Sequence, residues 1–346
     1  MKVKFTFLLV LLLVLGFVFS YFLLKKNYPT DDRSQNRSVD NGSVKEFPFQ
    51  ELTVPYLRDK KYSSNLGELK PYKTSSNYTS YLTSYDSDGL KINGLITIPN
   101  NDKTKKHPAI VFVHGYIAPS IYKTTEKYVE YVDYLAKNGY VVFKIDLRGH
   151  GESEGEATGA YYSGDYIIDT LNAYKALENS EFVDAKNIGL WGHSMAGNVT
   201  LRTFAAKPQI PAVAIWGGAG FTYTDLLEYR ISDNSYRPPQ QNTDRQRRRE
   251  ELRKLYGDFD PNSDFWKKVT PSSYLSDLKG SLALFHSADD NVVSVEYSRN
   301  LKKLLDVSEV NNEYHEYKSG GHNIANPSFS QAMETTVKFF DKYLKD

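Results

Sequence analysis

The chain has 346 residues, 40% of them hydrophobic and 25% charged, with a formal net charge of +1 and no cysteine. So balanced a charge gives no general attraction to nucleic acid or to an acidic surface. The lack of cysteine excludes disulfides, thiolate metal sites and cysteine nucleophiles, and the length fits one large α/β domain with additions or two small ones.

Residues 5–24 are almost uninterruptedly apolar, with Lys2 and Lys4 before them and Lys25 and Lys26 after them. Such a stretch is long enough to cross a bilayer as a helix. No small-residue cleavage site follows, so residues 1–26 are read as an uncleaved signal anchor in preference to a cleaved signal or a buried helix. Lysines at both ends leave the positive-inside rule nearly neutral, and the default orientation puts the bulk of the chain outside. Residues 27–77 are rich in Asp, Asn, Ser and Lys without a sustained period, and are read as a polar stalk.

From residue 78 to 346 strand and helix signals alternate. Residues 78–85 and 90–98 bracket Asp86-Ser87-Asp88-Gly89 and predict a hairpin. Residues 109–113 are continuously apolar, as in a strand covered on both faces. A helix is expected over 126–137, then a strand over 140–145, a helix over 167–177, a strand over 188–191, a helix over 195–206 and a strand over 212–216. After a gap come a strand over 282–285, a helix over 295–305, a strand over 313–317 and a helix over 330–344. This alternation predicts a mostly parallel eight-stranded sheet flanked by helices. The gap, about 221–278, is read as an inserted cap that shapes substrate choice. Its run from Asp244 to Lys254 has the composition of a solvated helix face.

Chemistry concentrates around Gly192-His193-Ser194-Met195-Ala196-Gly197, which follows the apolar run Ile188-Gly189-Leu190-Trp191 and precedes a helical pattern. A serine between small residues at a strand-to-helix turn is a nucleophile elbow, and the helix N-terminus behind it suits a developing oxyanion. Ala196 stands where the G-x-S-x-G pattern ends in glycine. A serine hydroxyl needs a base, and the base needs an acid to hold its tautomer. Three histidines follow Ser194. His286 ends a buried strand and His315 lies within a strand, whereas His322 sits in the flexible turn Ser319-Gly320-Gly321-His322-Asn323 before the last helix and is assigned the base. The loop His286-Ser287-Ala288-Asp289-Asp290-Asn291-Val292-Val293 offers two carboxylates for the acid. No phosphate-binding loop of the G-x-x-x-x-G-K-[ST] type is present, which removes nucleotide-driven and helicase-like readings.

With Val113-His114-Gly115-Tyr116, the stretch from Asp146 to Ser153, the Ser194 turn, the Asp290 segment and Gly321-His322 in this order, the chain resembles an α/β-hydrolase over roughly residues 80–344. It is most similar to the catalytic domain of prolyl-oligopeptidase-type serine peptidases, through residues 94–99, Thr270-Pro271-Ser272-Ser273-Tyr274 and Gly320-Gly321-His322-Asn323. The resemblance of residues 286–293 to an H-G-x-x-D-x-x-V segment prefers Asp290 over Asp289 as the acid. It implies a catalytic Ser194, Asp290 and His322, with the backbone N–H groups of Tyr116 and Met195 as oxyanion donors, His114 structural, and no cofactor or metal. Fewer than 90 residues precede the domain, too few for the β-propeller many such peptidases carry, so access would be set by the cap. The expected activity is hydrolysis of ester or peptide bonds in a peptide or small-molecule substrate, with carboxylesterase as the alternative and a non-catalytic binding module more remote. It should fall at acid pH, because an imidazolium cannot accept the serine proton.

Overall fold

A computed structural model of the protein describes residues 47–101, 105–229, 231 and 243–345. The anchor read over 1–26, and the stalk as far as residue 46, lie outside them. Among the described residues no helix is long and apolar enough to cross a membrane.

In chain order the elements are a 3-10 turn at Gln50–Leu52, α1 (Val54–Asp59), β1 (Lys70–Thr74), β2 (Tyr78–Ser87), β3 (Leu90–Pro99), β4 (His107–Val113), a 3-10 turn at Pro119–Ile121, α2 (Val129–Lys137), β5 (Val141–Ile145), α3 (Asp165–Glu178), β6 (Val183–His193), α4 (Ala196–Ala206) and β7 (Ala212–Trp216). There follow α5 (Tyr223–Glu228), α6 (Thr243–Tyr256), α7 (Asp264–Val269), a 3-10 segment at Pro271–Asp277, β8 (Ser281–Ser287), α8 (Glu296–Val307), β9 (Asn312–Tyr317), a 3-10 turn at Gly321–Asn323 and α9 (Phe329–Leu344).

One nine-stranded sheet is formed in the order β1-β2-β3-β5-β4-β6-β7-β8-β9. The strands from β4 to β9 pair in parallel, whereas β1, β2 and β3 join antiparallel at one edge. The β2–β3 hairpin closes through Asp88 and Gly89, both at positive φ, the pairing that matches the twist of two strands joined by a two-residue turn. Central strands hide both faces. Ala109, Val111 and Val113 of β4 join α3, α4 and α8 on one side, and Ile110 and Phe112 join α2 and α9 on the other. That two-sided burial explains why these strands are continuously apolar in sequence.

The sequence reading needs two corrections. The sheet has a ninth strand, β1, inside the expected stalk, and the folded unit begins at Phe47 instead of residue 78. Leu52, Val54 and Leu57 are fully buried despite their polar context. The short α1 is stabilised by Thr53, whose side chain accepts the Tyr56 N–H, and by a proline in its first turn. Arg58 donates to the Ala205 carbonyl, and the buried Arg202 guanidinium donates to the carbonyls of Leu52, Ala160 and Ser163. The segment 47–59 is therefore clamped onto α4, the helix that follows Ser194.

The insertion after β7 is helical where described. Tyr223, Leu252, Phe265, Trp266 and Val269 form a small apolar cluster with Leu52. Arg248 pairs with Glu51, and Tyr256 donates to the Pro48 carbonyl. The charged run is largely exposed on α6, as expected of a solvated face, although Leu252 within it is buried.

Candidate active site

β6 delivers Ser194 to the turn before α4 with φ 58°, a left-handed conformation that L side chains adopt only under constraint. Its backbone is pinned accordingly. Ser194 N–H donates to the Trp216 carbonyl at 3.0 Å, and its own carbonyl accepts from Gly197 and Ala219. Small neighbours make the turn possible. A Cβ at Gly192 would lie 2.6 Å from Thr200 Cγ2, and one at Gly197 would lie 2.7 Å from Gly218 Cα. Ala196 is fully buried, so its methyl is accommodated and the closest backbone approach falls on the next residue, Gly197.

Ser194 and His322 line one cavity of about 650 Å³ together with Tyr116, Ile117, Ile121, Tyr131, Val292 and Phe329. No described residue of the insertion lines it, so the expected cap does not shape this cavity through any described side chain. Its described parts pack on segment 47–52, on Tyr161 and Tyr162, and on α8 instead.

His322 Nδ1 lies 2.7 Å from Asp290 Oδ2. The carboxylate can only accept, so Nδ1 carries a proton, and the neutral tautomer this selects is the one with its lone pair on Nε2. Asp290 is itself held on four sides. Its Oδ1 accepts from the N–H groups of Val292 and Val293, and its Oδ2 also accepts from His286 Nε2 at 3.1 Å. Burial, the largest single influence on this carboxyl, works to raise it, but the hydrogen bonds from His286 and His322 and the nearby imidazole outweigh burial and hold it well below the usual carboxylate range. The neighbouring Asp289 has a different place. It accepts from Ser287 Oγ and from the N–H groups of Gly320 and Gly321, which lowers its carboxyl and ties the loop that carries His322. The two carboxylates thus hold the same loop, one by its imidazole and one by its backbone.

Tyr116 lies on the cavity wall. Met195 precedes the first turn of α4, where amide groups lack intrahelical acceptors. His114 is fully buried away from this cavity, with its ring nitrogens 2.7 Å and 3.0 Å from the carbonyls of Gly115 and Asp146. His315 stacks on Phe285 and meets Glu313.

Sequence reasoning gave no role to His193, Tyr128 or His286. His193 Nε2 lies 2.9 Å from the His322 carbonyl and Nδ1 lies 2.8 Å from Tyr128 Oη, which in turn accepts the Gly115 N–H at 2.9 Å. Burial holds His193 down to about 3. The one available signal, the spacing of His286 and Asp290 four residues apart, marked the acid and not its second partner.

The arrangement can generate a nucleophile. It combines a half-buried serine on a strained turn at the cavity wall, an imidazole in the same cavity, and a carboxylate fixing the tautomer. Two family models match the chain: "Serine aminopeptidase, S33" over residues 104–233 and "BAAT / Acyl-CoA thioester hydrolase C terminal" over residues 171–345. A probable dipeptidyl-aminopeptidase B from Paracoccidioides brasiliensis is 26% identical over 273 residues, covering 74% of this chain and 26% of that protein. The chain thus spans about a quarter of the length of the curated relatives it matches. Among solved structures, Pyrococcus horikoshii acylaminoacyl peptidase superposes with a TM-score of 0.61 at 21% identity, over 78% of this chain and 43% of that one. A Thermoanaerobacterium acetyl xylan esterase gives 0.56 at 18% identity, over 83% and 90%.

Proposed function

The chain has the α/β-hydrolase fold and belongs to the BAAT / acyl-CoA thioester hydrolase C-terminal family, and on that premise we propose that it cleaves peptide or ester bonds through an acyl-enzyme on Ser194. The observation that carries this reading is the pairing of a left-handed Ser194 with His322 in one cavity while Asp290 holds the far side of the imidazole. Ser194 Oγ attacks the carbonyl carbon as His322 Nε2 takes its proton. Asp290 keeps the proton on Nδ1 and stabilises the imidazolium. The N–H groups of Tyr116 and Met195 receive the oxyanion, and His322 passes its proton to the leaving amine or alcohol. Water then attacks the acyl-enzyme by the same route, releasing the acid and restoring Ser194.

Peptides are the first substrate class, supported by the relatives' names. Acyl esters are the second, supported by the apolar side of the cavity at Ile117, Ile121, Val292 and Phe329. A fluorophosphonate probe should label the wild-type protein and leave Ser194→Ala unlabelled; a folded but unlabelled wild type overturns the reading. Aminoacyl and acylaminoacyl amides set against p-nitrophenyl esters then separate the two classes. We also propose that residues 5–24 anchor the protein in a membrane with the catalytic domain outside it, on the strength of their length and flanking lysines. Release of the protein by carbonate or salt without detergent would refute that.

A further inference from the structure

We propose that Tyr128 and His193 are positioning residues, which together form one oriented hydrogen-bond chain that locks the oxyanion loop and the base loop in a fixed register. The proposal rests on the hydrolase reading above and adds to it two side chains that line the same cavity and whose hydrogen bonds run to each other and to the backbone of Gly115 and His322.

The orientation of the chain follows from what each group can do. The His322 carbonyl can only accept, so the proton of His193 sits on Nε2, and Nδ1 is left as an acceptor. Among the described residues the Tyr128 hydroxyl is the group that faces Nδ1, so Tyr128 donates there and uses a lone pair for the Gly115 N–H. Each polar atom in the chain is matched and no other direction satisfies it. The opposite tautomer would set a lone pair of His193 against the carbonyl of His322. Burial keeps His193 neutral and raises the Tyr128 phenol, so both hold the protonation the chain requires.

Two further features are arranged around this chain. Tyr128 adopts φ 61° although it is not glycine, and this strained N-cap of α2 sends its ring between the loop after β4 and the end of β6. Gly115 leaves the room. A Cβ there would lie 2.7 Å from Tyr128 Oη and 3.1 Å from His193 Nδ1.

The ends of the chain explain its consequence. One is Gly115, whose successor Tyr116 is the proposed oxyanion donor; the other is the backbone of His322, the proposed base. The His193 and His322 rings also pack against each other, with centroids 4.6 Å apart. A shift of either loop would move an oxyanion donor relative to the base, and displacements of this kind lower the chemical step far more than substrate binding.

The test uses the full-length protein with Tyr128→Phe and His193→Gln. Tyr128→Phe keeps the ring that packs on Phe112 and Trp191 and deletes both of its hydrogen bonds. His193→Gln retains a donor for the His322 carbonyl and replaces the fixed ring acceptor of Tyr128 by a flexible amide oxygen. Expected for Tyr128→Phe is a kcat lower by about 10- to 100-fold with KM within about two-fold. The affinity of an alkyl boronic acid, which mimics the tetrahedral intermediate, should fall in the same proportion. His193→Gln should fall between wild type and Tyr128→Phe, and the double variant should be no worse than Tyr128→Phe, because the residues act as a unit. A folded Tyr128→Phe with wild-type kcat and boronate affinity, or with losses confined to KM, overturns the proposal. Independently of activity, imidazole nitrogen NMR of the wild type should find His193 as the Nε2–H tautomer; the Nδ1–H tautomer overturns the chain even in a protein that hydrolyses nothing. A wild type that Ser194-directed probes fail to label would defeat the hydrolase reading alone.

Discussion

Lowering the pH should destabilise this protein through His193 well before its carboxylates protonate. Buried in the folded protein, this imidazole resists protonation down to about 3, whereas its ordinary value is 6.5. Between those limits the unfolded chain binds a proton that the folded chain refuses. Folding therefore weakens as pH falls through this window and regains the full contribution above about 6.5, with a slope approaching 1.4 kcal/mol per pH unit. From pH 6.5 to 4.5 the loss from this one residue is about 2 kcal/mol, undiminished by solvent because the ring is fully enclosed. His114 is also driven down by burial, but both its ring nitrogens face carbonyls, which favours the proton that burial disfavours, and it is left out of this figure. Asp290, held low, adds acid sensitivity only below about pH 4, beneath the window. Urea unfolding at pH 6.5, 5.5 and 4.5 of wild type and His193→Gln provides the assay. Glutamine does not titrate, so the stability gap between the two should shrink by about 2 kcal/mol as the pH falls. Curves that descend in parallel would show that His193 takes up its proton in the folded state, and the reasoning would fail.

Four further outcomes are expected. Asp290→Asn should lower kcat by about 10³- to 10⁴-fold with the fold retained, since His322 loses the partner that fixes its tautomer; steady-state kinetics on an activated ester would show it. Asp289→Ala frees the N–H groups of Gly320 and Gly321 and should lower kcat by about 10- to 100-fold while leaving the fluorophosphonate site at Ser194 intact. Gly197→Ala drives a methyl against Gly218 and Ala219 backbone atoms and should lose about 1–3 kcal/mol in denaturant unfolding. Ala196→Gly at the neighbouring position should lose no more than about 1 kcal/mol.

What could be read from the sequence follows the physics of each element. Strands β3 to β8 were legible because burial on one or both faces writes apolar residues into the chain, and β2 and β9 through their alternation of aromatic or apolar with polar residues. β1 was not, since Lys70-Pro71-Tyr72-Lys73-Thr74 is exposed along its whole length at the edge of the sheet. Segment 47–59 was hidden for a related reason: its buried residues are too few and too widely spaced among polar ones to set a period. Helix α2 begins at Val129 and not at 126, because Tyr128 is turned into the left-handed region to place its hydroxyl. Within the site, Ser194, Asp290 and His322 came from local strings in a fixed order. Tyr128 and His193 act across 65 positions and His193 and His322 across 129, and nothing local encodes such a meeting. The insertion was read as a cap that shapes substrate choice, and nothing in its own sequence announced that its apolar cluster is completed by Leu52 from the far end of the domain.

Arg202 sets a limit on how far the protein tolerates trimming from its beginning. Its guanidinium is sealed from water, and among the described residues its hydrogen bonds go to main-chain oxygens alone and its Nε has no partner. Proteolysis that spares Phe47 leaves this cradle whole. A cut a few residues later takes away the Leu52 oxygen and strands a cation on the helix behind the reactive serine, so a harmless cleavage and an inactivating one would be separated by only a handful of peptide bonds.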